Sequence, residues 1–164
     1  LLNNFVYNSP YNEIVYTLKH SGLLNVEEPC EIQIIAPDAG ATKKLNSIVS
    51  KLSSDYPDHV FNLIQALKHR DPKTGNLSGF SIDEEQLDLS APIIVLDDIC
   101  DGGGTFIGLS ELITSLGHTK EHYLFVSHGI FSKGVLELLE HYNKIYTANL
   151  FSESLKEEEN LISI

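Results

Sequence analysis

The 164-residue sequence predicts an α/β fold, a doubly wound, mostly parallel sheet flanked by helices. Three observations carry that expectation. Short apolar runs alternate along the chain with stretches whose apolar residues recur at helical spacing, the pattern of strand–helix–strand crossovers. One run, Ile93-Ile94-Val95-Leu96, is apolar at successive positions, as a parallel strand covered on both faces requires. The runs at Ile32 and Ile93 end in carboxylates, small residues and glycine that lead into a helix, the place where open α/β sheets bind ligands.

The elements follow in order. Phe5 to Tyr7 reads as a short strand, and Ser9-Pro10 opens a helix over Asn12 to His20 with Ile14, Val15 and Leu18 on one face. Ile32 to Ile35 is a strand ending in Ala36-Pro37-Asp38-Ala39-Gly40. Leu45, Ile48, Val49 and Leu52 then recur at i, i+3, i+4 and i+7, an amphipathic helix. Val60 to Ala66 is the next strand, followed by a polar, turn-rich stretch from Asp71 to Gly79 with Pro72 and Gly75. After the strand at Ile93, a helix carries Leu109, Leu112, Ile113 and Leu116 on one face and ends at Gly117. Tyr123 to Val126 is a core strand, Val135, Leu138, Leu139 and Tyr142 mark a helix, and Ile145 to Ala148 is another strand. Glu153 to Glu159 is an acidic, solvated tail, and Leu161 to Ile164 adds an edge strand. No repeat or linker interrupts the series, so residues 1–164 read as a single domain with right-handed crossovers.

Composition narrows the function classes. Hydrophobic content of 42% and charged content of 21% are ordinary for a globular domain. No apolar run reaches the roughly 20 residues of a membrane span, and the opening Leu1-Leu2-Asn3-Asn4 lacks the basic start of a secretory signal. Cys30 and Cys100 match no metal or redox spacing and read as small buried hydrophobes, which predicts a reducing, cytoplasmic setting. The chain has no methionine, even at position 1, which predicts a fragment or a processed chain. A formal charge of −12 argues against nucleic acid or an anionic membrane as partner. It would also repel a phosphate, so a phosphate ligand needs locally concentrated positive charge. Six of the eleven Lys and Arg residues, Lys43, Lys44, Lys51, Lys68, Arg70 and Lys73, lie in one stretch, and Arg70 is the chain's one arginine. Its guanidinium suits forked phosphate recognition and suits a solvated surface equally well.

Residues 93 to 105 carry the strongest chemical signal. Asp97 and Asp98 end the buried strand, Asp101 follows, and Gly102-Gly103-Gly104-Thr105 open the next helix. Carboxylates accept hydrogen bonds from sugar hydroxyls. Glycines let backbone N–H groups approach an anion at the positive end of a helix dipole. Together they predict a sugar phosphate as ligand. A plain turn capped by Asp101 and Thr105 would need neither the acidic doublet nor the glycine run.

Three other segments belong to the same edge. Pro37-Asp38-Ala39-Gly40-Ala41-Thr42-Lys43 repeats the logic, and Asp38 suits Mg²⁺ through oxygen, although Asp-Ala-Gly alone is also a generic turn. Lys68 and Arg70, two apart at a strand end, point the same way and lead into a stretch with the composition of a mobile lid; an ordinary basic hairpin loop is the bland alternative. In Val126-Ser127-His128-Gly129-Ile130-Phe131-Ser132, a strand-to-helix turn, His128 reads as structural. His20, His118, His122 and His141 have no ligand spacing and read as surface or packing residues.

These strings resemble those of a known family. Asp97 to Thr105 resembles the ribose-phosphate-binding motif shared by type I phosphoribosyltransferases and ribose-phosphate pyrophosphokinases. The resemblance implies that Asp97 and Asp98 hold the ribose 2- and 3-hydroxyls. It implies that Asp101, Gly102, Gly103, Gly104 and Thr105 wrap the 5-phosphate. Asp38, Ala39, Gly40, Ala41 and Thr42 are similar to the pyrophosphate loop of the pyrophosphokinases, with Ala41 where a second glycine is usual, and Asp38 is then a magnesium ligand. Lys68 and Arg70 resemble that family's catalytic Lys-x-Arg loop, whose cations stabilise the transferring β-phosphoryl group; the full string is most similar to a divergent, phage-type branch. Ser127 to Ser132 resembles a string near the pyrophosphokinase active site and subunit contacts that donor-consuming phosphoribosyltransferases usually lack.

In family order, the strings cover Ile34 to Phe131. The resemblance implies the C-terminal half of a two-domain ribose-phosphate diphosphokinase. That enzyme makes phosphoribosyl pyrophosphate and AMP from ribose 5-phosphate and MgATP, and assembles as dimers or hexamers. The family's N-terminal domain supplies a magnesium-binding histidine and most of the adenine pocket, so this half is expected to be inactive by itself. The alternatives are a phosphoribosyltransferase that consumes phosphoribosyl pyrophosphate, and a non-catalytic subunit that binds a ribose phosphate.

Overall fold

Strand residues of alternate parity feed two separate cores, and that alternation makes a sheet with helices on both faces. The computed structural model describes residues 9–25, 27–70, 73 and 77–164, with the side chains of residues 70, 77 and 78 outside that description. Its elements run α1 (Tyr11–His20), β1 (Glu31–Ala36), α2 (Ala39–Asp55), β2 (Val60–Arg70), β3 (Leu77–Ile82), β4 (Ile93–Cys100), α3 (Gly104–Ser115), β5 (His122–Gly129), α4 (Leu136–His141), β6 (Lys144–Leu150) and β7 (Leu161–Ser163). The sheet has seven strands in the order β3-β2-β1-β4-β5-β6-β7. Every neighbouring pair is parallel except β2 with β3. The doubly wound α/β class is therefore correct.

In β4, Ile94 and Leu96 join Ile32, Ile34, Tyr123 and Phe125 in the core that α1 and α2 cover. Ile93 and Val95 join Leu124, Val126 and Ile145 in the core that α3 and α4 cover. All four β4 residues are at most 1% exposed, which is why this strand had to be apolar without interruption. Gln33 is the polar exception inside β1. Its Nε2 donates to the Asp88 carbonyl (2.7 Å) and the Ala91 carbonyl (3.1 Å), and its Oε1 accepts the Asp88 N–H (2.7 Å). A fully satisfied buried amide of this kind ties the segment before β4 to the centre of the sheet.

One expectation is corrected. β2 runs on to Arg70, and β3 pairs with it antiparallel, so the stretch read as a polar loop holds a strand from Leu77 onward. Lys68 stands opposite Phe80 and Arg70 opposite Leu77, so the Lys-x-Arg pair lies at a strand end as read, now as part of a hairpin arm. Phe80 and Ile82 do alternate, and both pack on the α3-side core; Gly79, at φ 151, interrupts the pattern that would have shown it. Gly108 of α3 lies so close that a Cβ there would stand 2.9 Å from the Phe80 ring. The lid residues 71, 72 and 74–76, and the strand expected at Phe5 to Tyr7, lie outside the described residues.

The edge strand after Leu161 forms as β7, parallel to β6. His118 and His122 are packing residues: both are buried, and His122 Nε2 lies 2.7 Å from His118 Nδ1. Burial lowers the His122 ring to about 4, so that ring is held neutral near pH 7. Cys100 is buried as expected, whereas Cys30 is only half-buried, its thiol donating to the Leu23 carbonyl (3.2 Å). Among the described residues no helix is long and apolar enough to cross a membrane.

The chain leaves β1 through α2 toward β2 on one side, and leaves β4 through α3 toward β5 on the other. The two directions part between β1 and β4, and open α/β sheets bind ligands in the crevice at such a switch point. Pairing of β1 with β4 covers only Gln33–Ile35 against Ile93–Val95. Because Ile94 lies at the middle of this shared ladder and is fully buried, Ile94→Ala is expected to cost about 2–5 kcal/mol of unfolding free energy. Urea denaturation reads this as a lower midpoint with an unchanged slope, and a loss below about 1 kcal/mol would contradict the packing described.

Candidate functional site

Asp38 and Asp97-Asp98 stand on either side of the β1–β4 divide. Asp38 is the N-cap of α2, with extended backbone; its Oδ1 accepts the Ala41 N–H (3.0 Å), and Thr42 Oγ1 donates to its carbonyl (2.9 Å). The Asp-Ala-Gly-Ala-Thr string is thus a helix start first. Its free side is chemically placed: Oδ2 lies 3.2 Å from Lys68 Nζ, reaching across from β2. Burial opposes ionisation of Asp38. The Ala41 N–H, the Lys68 ammonium and the Gly40 N–H outweigh it and hold the carboxyl below the usual range.

Asp97 and Asp98 line one cavity of about 640 Å³ although they are consecutive in a strand. Strand parity breaks between Val95 and Cys100, which share one core despite odd spacing, so the doublet sits in an irregular stretch of β4. Burial pushes Asp97 up to about 6; its Oδ1 accepts the Asp98 N–H (2.8 Å), which counters the rise, and the charges of Asp98 and Asp38 add to it. Asp98 goes the other way, because Lys44 of α2 hydrogen-bonds its Oδ2 and lowers it. Lys44 and His128 lie on the rim of the same cavity, whose floor includes Leu96 and Phe125. His128, read as structural, is in fact exposed there.

The glycine loop lies beyond this cavity, three residues on, and does not line it. Cys100 turns into the α3-side core beneath the loop, and the Gly103 N–H reaches its thiol, which burial pushes up to about 12. Gly103 is the N-cap of α3 in left-handed conformation (φ 78), and a Cβ there would meet Leu138 at 3.2 Å. No side chain caps α3, so neither Asp101 nor Thr105 plays the helix-capping part that the bland reading gave them. Phe106 and Ile107 donate their N–H groups to the Gly103 carbonyl (2.9 and 3.1 Å), which leaves the Gly104 and Thr105 N–H groups to find an acceptor.

The string after β5 buttresses this loop. Ile130 and Phe131 donate their N–H groups to the Cys100 carbonyl (2.9 and 3.1 Å), and Ser132 donates to the Asp101 carbonyl (3.1 Å). Phe131 adopts φ 48 to bury its ring, and that ring covers Gly129 so closely that a Cβ would stand 2.2 Å away. Two site residues were missed in the sequence. Lys44 was counted only as local charge, and Lys133, whose Cε would lie 3.5 Å from a Cβ on Gly102, carried no signal at all. The side chain of Arg70 lies outside the described residues. Among the described residues no group of three or more His, Cys, Asp or Glu side chains is placed to hold a metal ion.

Two outcomes follow from this geometry. Folding raises Asp97 from 3.8 to about 6, so its protonated form favours the folded state and that contribution disappears as pH rises through this window. Asp97→Asn should therefore gain stability relative to the parent between pH 4 and pH 6 and hold the gain above it, as measured by urea midpoints; a gap that is flat with pH would contradict the assigned burial. Gly129→Ala should cost about 1–3 kcal/mol through the Phe131 ring, and an unchanged midpoint would show that the ring is not where it is described.

The chain is 33% identical over 112 residues to ribose-phosphate pyrophosphokinase A of Dictyostelium discoideum, a match covering 68% of this chain and 32% of that protein. It spans about a third of the length of the curated relatives it matches. Among solved structures, phosphoribosylpyrophosphate synthetase from Mycobacterium smegmatis superposes with a TM-score of 0.60 at 19% identity, covering 94% of this chain and 46% of that one. The APRTase of Giardia lamblia superposes with a TM-score of 0.57 at 15% identity, covering 87% of this chain and 78% of that one. No protein-family model matches the chain. Its fold is that of the type I phosphoribosyltransferases, and its curated homologues, over about 65% of the chain, are ribose-phosphate pyrophosphokinases.

Proposed function

We propose that the chain is the ribose-phosphate-binding and catalytic-cation half of a ribose-phosphate diphosphokinase, completed by a further domain that supplies most of the nucleotide pocket. The observation that carries this reading is the Asp38–Lys68 ion pair set across the β1–β4 crevice from Asp97 and Asp98. A sugar site and a phosphoryl site then share one edge. Asp97 and Asp98 accept hydrogen bonds from the ribose 2- and 3-hydroxyls, and residues 101–105 receive the 5-phosphate at the uncapped start of α3.

In the proposed reaction the ribose 1-oxygen forms a bond to the β-phosphorus of ATP. The bond from that phosphorus to the oxygen bridging it to the α-phosphorus breaks, AMP leaves, and the hydroxyl proton passes to solvent. Catalysis of this kind is positioning plus neutralisation of charge on the transferring group. Lys68 exchanges Asp38 for the β-phosphoryl oxygens, and Arg70, two residues on at the end of β2, is assigned to the same group. Asp38 has one oxygen on the Ala41 N–H and the other on Lys68, so it fits no resident ion. It does fit a magnesium that arrives with the nucleotide, which needs one or two carboxylates beside phosphate and water oxygens. Such an ion would neutralise charge on the phosphoryl oxygens.

AMP release from MgATP, measured with protein from the full-length gene, tests the proposal. AMP should form only when ribose 5-phosphate is present, and Lys68→Ala should lower the rate about 10²–10³-fold without changing the fold. Turnover of phosphoribosyl pyrophosphate with a nucleobase in place of ATP would make the protein a phosphoribosyltransferase instead.

A further inference from the structure

The chain carries a net charge of −12, yet a ribose-phosphate site needs a cation at its phosphate. Two cations at the sheet edge already have carboxylate partners: Lys44 of α2 sits on Asp98, and Lys68 of β2 on Asp38. Both face the sugar and phosphoryl side of the crevice. Lys133 is placed differently. It lies in a tight turn closed by the Gly134 N–H on the Phe131 carbonyl (2.8 Å), with Gly134 at φ 80. Three hydrogen bonds from residues 130–132 to the carbonyls of Cys100 and Asp101 fix that turn against the glycine loop. The Lys133 stem runs alongside Gly102, so that a Cβ there would lie 3.5 Å from Cε and 3.9 Å from Nζ. Among the described residues Lys133 forms no ion pair.

We infer that Lys133 is the cation of the phosphate subsite, closing over an anion held by the backbone N–H groups of Gly102, Gly104 and Thr105. The lysine stem lies against the loop at ordinary contact distance from the Gly102 backbone, so its ammonium stands beside the place where the ligand would sit. The buried Phe131 and the bare Gly129 serve to hold this turn in place. The role rests on the ribose-phosphate reading of the site, and it adds a residue that the acidic doublet and the glycine run do not include. A cation–phosphate hydrogen bond is charge-assisted, which makes it among the stronger polar contacts available to a ligand.

Calorimetric titration of ribose 5-phosphate into the protein from its full-length gene tests the role. Lys133→Met should weaken binding about tenfold or more, Lys133→Arg should bind like the parent, and added salt should weaken the Met variant less than the parent. Lys133 is exposed, so all three proteins should unfold at the same urea concentration. If Asp97→Asn weakens binding while Lys133→Met does not, the ribose-phosphate reading stands and the role of Lys133 is overturned. If the parent does not bind ribose 5-phosphate at all, the reading beneath it fails and this role fails with it.

Discussion

The short ladder between β1 and β4 is the constraint on which the site depends. Three residues of each strand pair, Gln33–Ile35 with Ile93–Val95, and beyond them the chain is carried off in opposite directions by α2 and α3. Right-handed crossovers put those helices on opposite faces, which leaves the two strand ends side by side with no helix between them. Into that gap project Asp38 from one strand and Asp97 and Asp98 from the other. A longer ladder would have closed it. The fully buried run Ile93 to Leu96 holds the gap at a fixed place, and Gln33 anchors the opposite end of the same ladder.

Charge is arranged around this gap in pairs. Lys68 with Asp38 and Lys44 with Asp98 are preformed partners, whereas Asp97 has no cation beside it among the described residues and rises to about 6 through burial. A ligand bearing both hydroxyls and phosphates suits such a set. Hydroxyls donate to the carboxylates, and phosphate oxygens draw the ammonium groups away from them, so existing interactions are exchanged and few are created. The glycine loop takes no part in those pairs. It is organised by backbone hydrogen bonds from the turn after β5 and by the close fits at Gly103 and Gly129.

Most of the framework was legible in the sequence because the parallel strands are buried on both faces and read as apolar runs. The switch-point carboxylates were legible for the same reason, since they end such runs. β3 was not, because Gly79 breaks its alternation and the polar turn before it masks the start. Lys68 was found by its residue type and its place at a strand end, but the sequence ended that strand at Ala66, since its length beyond there is set by pairing with β3. His128 was given a structural part because a single histidine after a strand carries no information about exposure. Lys133 could not have been found at all: its place beside Gly102 comes from hydrogen bonds between two loops that are distant in sequence.

The proposed ribose-phosphate site spans the β1–β4 divide and the start of α3. Amide chemical shifts of the isotope-labelled protein, followed while ribose 5-phosphate is added, test it most directly. A single site should give saturable shifts at Asp97, Asp98 and residues 102–105, all fitting one dissociation constant, with residues near Asn62 at the opposite end of the strands unmoved. Shifts confined to the opposite end, or none at the glycine loop, would contradict it.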